Sequence, residues 1–175
     1  MTDFFIAEDI YLRALEPEDV DVLYRWENDT RHWKYGATIN PYSKFSLKQY
    51  IAEARDDIHQ TRQLRMIVVE NASKKAVGTI DLYDFDFFHQ RAGIGILIDE
   101  DYREKGYALQ TLNCIERYAF HHLKLHQLYA FVPARNLPSV VLFEKAGFEK
   151  TAVLRDWISI NKSFGDVMVM QKINK

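Results

Sequence analysis

The stretch Ile98-Asp-Glu-Asp-Tyr-Arg103-Glu-Lys-Gly106-Tyr-Ala108 has the residue types of a phosphate cradle. An apolar run ends at Ile98, a short polar loop follows, and a long amphipathic pattern opens at or near Gly106. At a helix start the free N–H groups and the positive dipole end face outward. Gly106 lets a ligand approach the backbone, and Arg103 and Lys105 add charge. One anion at the dipole gains about 0.3–1 kcal/mol, while each charge-assisted hydrogen bond contributes about 1.5–3 kcal/mol, so a diphosphate held by several bonds suits this site best. The spacing Arg-x-x-Gly-x-[Gly/Ala] alone arises by chance in roughly one chain in ten of this length.

Other residues are read one by one. Asp81 sits midway along an apolar segment, where a buried, unpartnered carboxylate is costly, so it is either functional or on a solvated face. Asp84 and Asp86, alternating with aromatics, read as a charged strand end and turn. Cys114 lies in a helical pattern and reads as a small core residue rather than a nucleophile. His121 and His122 are adjacent and point apart on a helix, and His126 falls beyond it, so no metal site is expected.

These residues need elements to hold them. Residues 6–15 read as a strand, and Pro17-Glu18-Asp19 opens a helix with Val20, Leu23 and Trp26 on one face. Residues 31–45 are aromatic and irregular; Ser46 then begins a capping-box pattern into a helix carrying Leu47, Ile51 and Ala54. Residues 64–70 and 76–84 read as a hairpin and 91–99 as a third strand. Leu109, Leu112, Ile115 and Ala119 form the core stripe of a helix over 106–123. A strand over 127–132 follows, parallel to the 91–99 strand if the two are neighbours. Asn136 caps a helix over 136–146, with Pro138 in its first turn and Gly147 closing it. Strands over 153–160 and 166–173 end the chain. The fold class is α+β: a mixed, mostly antiparallel sheet flanked by helices, in a single domain spanning 1–175.

Composition narrows the partners. The 175 residues carry 23 Lys+Arg against 25 Asp+Glu, a net charge of −2, which leaves no general basic field for nucleic acid or anionic membrane. One cysteine excludes an internal disulfide framework and fits a reducing compartment. Glu8 and Asp9 interrupt the start before a signal-peptide core could form, and nothing approaches the ~20 apolar residues of a membrane span; a soluble, cytoplasmic protein is expected.

The 98–108 block resembles the acyl-CoA-binding motif of the GNAT acetyltransferases, matched by Ile98, Arg103, Gly106 and Ala108 at every defined position. Asn136-Leu-Pro-Ser139-Val-Val-Leu-Phe143-Glu-Lys145-Ala-Gly147-Phe148 is similar to the family's second block. Tyr24-Arg-Trp26-Glu-Asn28-Asp and the closing 160–170 segment resemble the branch of ribosomal-protein N-terminal and spermidine acetyltransferases. The resemblance implies acetyl-CoA as cosubstrate, with its pantetheine arm between the 91–99 and 127–132 strands. It places backbone groups of Ile96, Leu97 and Ile98 on the arm, and Arg103, Glu104, Lys105, Gly106, Tyr107 and Ala108 on the pyrophosphate. Asn136 would hold the pantetheine, Phe143 would line the site, and Lys145 would lie near the nucleotide end, although a lysine late in a helix also reads as a solvated, dipole-compensating residue. Gly93 and Gly95 suit a bulge or close backbone approach, or equally give packing room to a neighbouring aromatic.

The implied reaction is direct attack by a primary amine on the thioester, with both substrates bound at once. An amine of pKa ≈ 10.4 costs about 4.6 kcal/mol to deprotonate at pH 7, so a base or water chain is wanted. Asp81 is the candidate base, at a site where spermidine-type relatives carry Glu. Gly93 and Phe143 stand where many relatives carry Glu and a Tyr that protonates the leaving thiolate; Ser139, one helical turn before Phe143, is the candidate acid, or else a local cap. The expected acceptor is a polyamine such as spermidine, ahead of a peptide N-terminus, in a possible homodimer or larger homo-oligomer. A rival of another class is a CoA-binding sensor or assembly module without turnover.

Overall fold

A computed structural model describes residues 3–33, 40–54, 58–160 and 163–175. Its strands are β1 (Ile10–Ala14), β2 (Leu64–Glu70), β3 (Ala76–Asp86), β4 (Arg91–Ile98), β5 (Gln127–Pro133), β6 (Glu149–Ile160) and β7 (Ser163–Ile173). The helices are α1 (Val20–Glu27), α2 (Thr30–Trp33), α3 (Lys44–Glu53), α4 (Ile58–Thr61), α5 (Tyr107–Arg117) and α6 (Leu137–Lys145). One seven-stranded sheet runs in the order β1-β2-β3-β4-β5-β7-β6, and only β4 and β5 pair in parallel. The mixed, mostly antiparallel sheet expected from the sequence is therefore present.

Each sheet face carries its own apolar layer. Val20, Leu23 and Trp26 of α1 and Leu47 and Ile51 of α3 cover Ile67 and Val69 of β2. On the opposite face Leu112 and Ile115 of α5 and Val140 and Phe143 of α6 pack over Ile80, Ile94, Leu128 and Ala130. Among the described residues no helix is long and apolar enough to cross a membrane.

Several boundaries differ from expectation for local reasons. The first strand covers only Ile10–Ala14, because the chain before it folds back through an Ile6–Tyr11 bridge. Gln110 binds both the backbone N–H and the carboxylate of Asp9, and Asn71 donates to the carbonyls of Ala7 and Glu8, so side chains from α5 and the β2–β3 turn hold that reversal. Helix α3 starts three residues early: Ser43 is its N-cap, accepting from the Ser46 N–H at 3.0 Å, and Ala54 is exposed beyond its end. The long helix over 106–123 divides into α5 and a π turn over Tyr118–His122, where Leu123 N–H reaches the Tyr118 carbonyl. Asn136 does cap α6, and Gly147 at φ +85° closes it in a Schellman arrangement, with Phe148 N–H on the Phe143 carbonyl and Gly147 N–H on that of Glu144.

Candidate active site

The site begins where the sheet parts. β4 pairs with β5 only through Arg91, Ala92 and Gly93, while its other edge stays on β3 as far as Ile98. Asp99 N–H donates to the Val77 carbonyl, which fixes the alternation: Gly93, Gly95 and Leu97 turn their backbone groups to β3, and Ile94, Ile96 and Ile98 turn theirs into the cleft. This corrects the expectation for Leu97, whose backbone is spent on β3 and whose side chain packs in the α1–α3 layer.

No bulge breaks β4 at its glycines; its register with β3 is continuous from Gly78–Ile98 to Tyr83–Gly93. The aromatic alternative holds. A Cβ on Gly93 would lie 2.3 Å from the Tyr83 ring, so that ring fills the seat a side chain would need. Tyr83 meets Tyr129 of β5 edge-on at 6.3 Å, directly over the parting point, and burial pushes its phenol upward.

At the upper end of β4, Asp99 N-caps the turn Glu100–Tyr102, which leads through Arg103 and Glu104 (φ +62°) to Gly106 (φ +79°), the N-cap of α5. The Gln110 N–H reaches the Gly106 carbonyl, and the N–H groups of 104–109 find no acceptor among the described residues. A Cβ on Gly106 would meet nothing closer than Gln110 Nε2 at 4.0 Å, so the space before these donors is open. Converging N–H groups at a helix start beside Lys105 can hold linked phosphates.

Side chains here do not all point at a ligand. Arg103 Nε donates to the Ile98 carbonyl at 3.1 Å, tying the loop to the strand end. The Tyr107 hydroxyl donates to Glu70 at 2.6 Å, a bond that pushes its phenol up to about 12, so only its backbone faces the cradle. Lys105 lies 3.8 Å from Glu70 and over the Tyr102 ring, half exposed. Glu104 is exposed and Ala108 half-buried.

Beyond β5, Asn136 accepts from the Ser139 N–H at 3.4 Å, leaving its amide donors uncommitted, and the Ser139 hydroxyl has no partner among the described residues. Phe143 is buried edge-on to Phe148, in the core beneath the cleft. Lys145 is exposed at the far end of α6, about 13 Å along the axis from Asn136.

On the α1–α3 face, Asp81 lies beside Gly95 of β4 and opposite Arg65 of β2. Arg65 grips both its oxygens, at 2.6 and 3.1 Å, and reaches Glu27 at 2.6 Å with its remaining nitrogen. Asp81 is thus half of a fork, not a lone carboxylate. Sequence reasoning missed Arg65 and Glu27, whose partners lie 16 and 38 residues away along the chain. It also missed Asp99: Trp26 Nε1 and Arg25 Nη2 both donate to its Oδ2, at 2.7 and 2.6 Å. An open cavity of ≈ 870 Å³, bounded by Asp84, Asp86, His89, Arg91, Tyr129 and Phe131, adjoins the parting point. Cys114 is fully buried, and burial pushes its thiol up. Among the described residues no group of three or more His, Cys, Asp or Glu could hold a metal.

A parted parallel strand pair leading to a helix start without a side-chain cap can hold an extended, phosphate-bearing ligand in the plane of the sheet. Residues 9–149 match the family model described as an acetyltransferase (GNAT) domain, and the chain belongs to that family. It is 30% identical over 159 residues to a spermidine N(1)-acetyltransferase of Vibrio cholerae serotype O1, covering 91% of this chain and 90% of that protein. The crystal structure of spermidine N-acetyltransferase from Vibrio cholerae in complex with CoA and spermine superposes with a TM-score of 0.84 at 28% identity, covering 94% of this chain and 95% of that one. A dodecameric structure of the Vibrio cholerae spermidine N-acetyltransferase gives a TM-score of 0.80 at 28% identity, covering 94% of each chain.

Proposed function

We propose that the protein transfers the acetyl group of acetyl-CoA to a primary amine, with a polyamine such as spermidine as acceptor. The parting of β4 from β5 after Gly93 carries this reading. An extended pantetheine arm can lie along the edge that Ile94, Ile96 and the Ile98 N–H leave open, with the diphosphate on the donors of 104–109 and Asn136 offering its amide. The Vibrio cholerae relative crystallised with CoA and spermine supports both ligands. Two carboxylates, Glu27 and Asp81, against the one guanidinium of Arg65 leave a negative charge on the acceptor face, which favours a cation.

The amine nitrogen attacks the thioester carbonyl, the carbonyl π pair becomes an oxyanion facing the open β4 edge, and its collapse expels the thiolate. Asp81, beside Gly95, takes the amine's proton through water, and the thiolate is protonated through the Ser139 hydroxyl, which receives a proton from water as it gives up its own. Because a thiol of pKa ≈ 8.5 leaves tolerably unaided, Ser139→Ala lowers kcat only about 10-fold and leaves the KM for acetyl-CoA within about twofold. An equal fall in acetyl-CoA affinity would make Ser139 a structural cap.

The deciding experiment measures thiol release from acetyl-CoA with spermidine, spermine and N-terminal peptides. Polyamine-dependent release is expected; peptide-dependent release would move the acceptor, and CoA binding without release to any amine would leave a binding module. Homo-oligomerisation, supported by the dodecameric relative and by exposed Trp157 and Phe164 on the β6–β7 hairpin, is read by light scattering.

A further inference from the structure

Asp99 joins two parts of the molecule that the sequence keeps 73 residues apart. It is 6% exposed and belongs to the coenzyme loop, yet its Oδ2 accepts from Trp26 and Arg25 of α1 and its Oδ1 from the Asp101 N–H. Its backbone is equally committed, with its N–H on Val77 and its carbonyl accepting from Tyr102. One residue later, Glu100 accepts from Arg31 of α2 at 2.7 Å, and Arg31 is itself held by Asp29. The loop over 99–103 is therefore fastened from the acceptor side by three donors, Trp26, Arg25 and Arg31, none of which lies in the loop.

We infer that Asp99 is a positioning residue, aided by Glu100, that makes helices α1 and α2 and the coenzyme loop one mechanical unit, so that residues on the acceptor side set acyl-CoA affinity. This rests on the loop being the diphosphate site. The free N–H groups of 104–109 hold linked phosphates only while the turn before them keeps its shape, and that turn hangs on the Asp99 carboxylate. Two fastenings run from α1 and α2 to the turn, so loosening either one frees the residues that shape it.

The test uses the full chain and two separate readouts. In coenzyme-free protein, hydrogen exchange of the amides of 101–103, each of which has an acceptor in the turn, is measured for wild type, Asp99→Asn, Trp26→Phe and Glu100→Gln. Each variant should speed that exchange about 10-fold while β2 and β3 stay protected. Calorimetric titration with CoA should then give a Kd raised about 5-fold in each. Arg13→Gln is the control: it breaks the Arg13–Asp19 fork just before α1 without touching the loop, and should lower the melting temperature while leaving the Kd unchanged. Unaltered loop exchange in Trp26→Phe and Glu100→Gln, or an Arg13→Gln Kd as weak as theirs, would overturn the inference. Faster loop exchange with no CoA binding by wild type would overturn instead the assignment of the loop to the coenzyme.

Discussion

Gly106 occupies the left-handed region at φ +79°, where a side chain costs roughly 1–2 kcal/mol and Asn and Asp are tolerated best. That tolerance separates strain from charge. Gly106→Asn and Gly106→Asp pay the same backbone cost, but only the aspartate sets a negative charge before the open donors; calorimetry should show CoA affinity falling about 10-fold for the first and at least 100-fold for the second. Equal losses would mean that the cradle does not meet phosphate. A second residue-scale case is Asp29, whose hydrogen bonds from Arg31 Nε and Nη2, at 2.9 and 2.6 Å, hold its carboxyl down at about 2. A depressed carboxylate adds stability above its unfolded pKa of about 3.9, and that contribution is lost as the pH falls through 2. Carboxyl-detected NMR should show Asp29 titrating near 2 in wild type and at higher pH in Arg31→Gln, where the residue-31 backbone N–H and His32 still hold it below the free value. Gly106 and Asn136 could be read from the sequence because their structural roles are local, a helix start and a cap, whereas Arg103, expected to add charge to the phosphate site, ties the loop to the Ile98 carbonyl. Asp99 could not be read in this way. It stands in an Asp-Glu-Asp run that looks solvated, and its partners arrive from α1 only once the chain has folded.

The same division between local and distant causes governs the elements. The β2–β3 hairpin and α6 were legible because their turns and caps lie within the segment, whereas the first strand was cut short by Gln110 and Asn71, and the π turn after α5 has no marker in its apolar period. The β4 glycines show what spacing alone leaves open. Their sequence fits a bulge or a packing seat, and only the position of Tyr83 decides for the seat. Two substitutions test that account. Gly93→Ala drives a methyl into the Tyr83 ring and should cost about 1–3 kcal/mol in urea unfolding, with a favourable coupling of at least about 1 kcal/mol when combined with Tyr83→Ala. Gly78→Ala meets instead the Leu97 carbonyl oxygen, at 2.2 Å, and Ile98 Cδ1, at 2.9 Å, so it should cost about 3 kcal/mol, of which shortening Ile98 relieves only a part because the backbone clash remains. Additive behaviour of the Gly93 and Tyr83 changes would mean that the Tyr83 ring does not fill the seat at Gly93.

At the scale of the whole molecule, the sheet separates the proposed substrates and the gap between β4 and β5 lets them meet. On the proposed reading the coenzyme would lie in the plane of the strands with its phosphates at α5, and the acceptor would come from the α1–α3 face, where Asp81, Arg65 and Tyr83 sit. Two ligands reaching one carbonyl carbon from different sides have no need to take turns, which makes a ternary complex the natural route and an acyl-enzyme superfluous. The lone thiol agrees with this. Cys114 lies on α5 within the opposite layer, is sealed from both approaches, and has its thiolate disfavoured by burial, so it is neither reachable nor nucleophilic at neutral pH. Cys114→Ala should therefore keep kcat within about threefold while costing about 1–2 kcal/mol of stability for the small void left in the core. Initial-rate plots at several fixed polyamine concentrations should intersect rather than run parallel, and the intact mass of wild-type protein should not change on incubation with acetyl-CoA alone. Parallel lines, or an acetyl adduct that disappears in Cys114→Ala, would mean that the core opens during turnover and that the transfer passes through the protein itself.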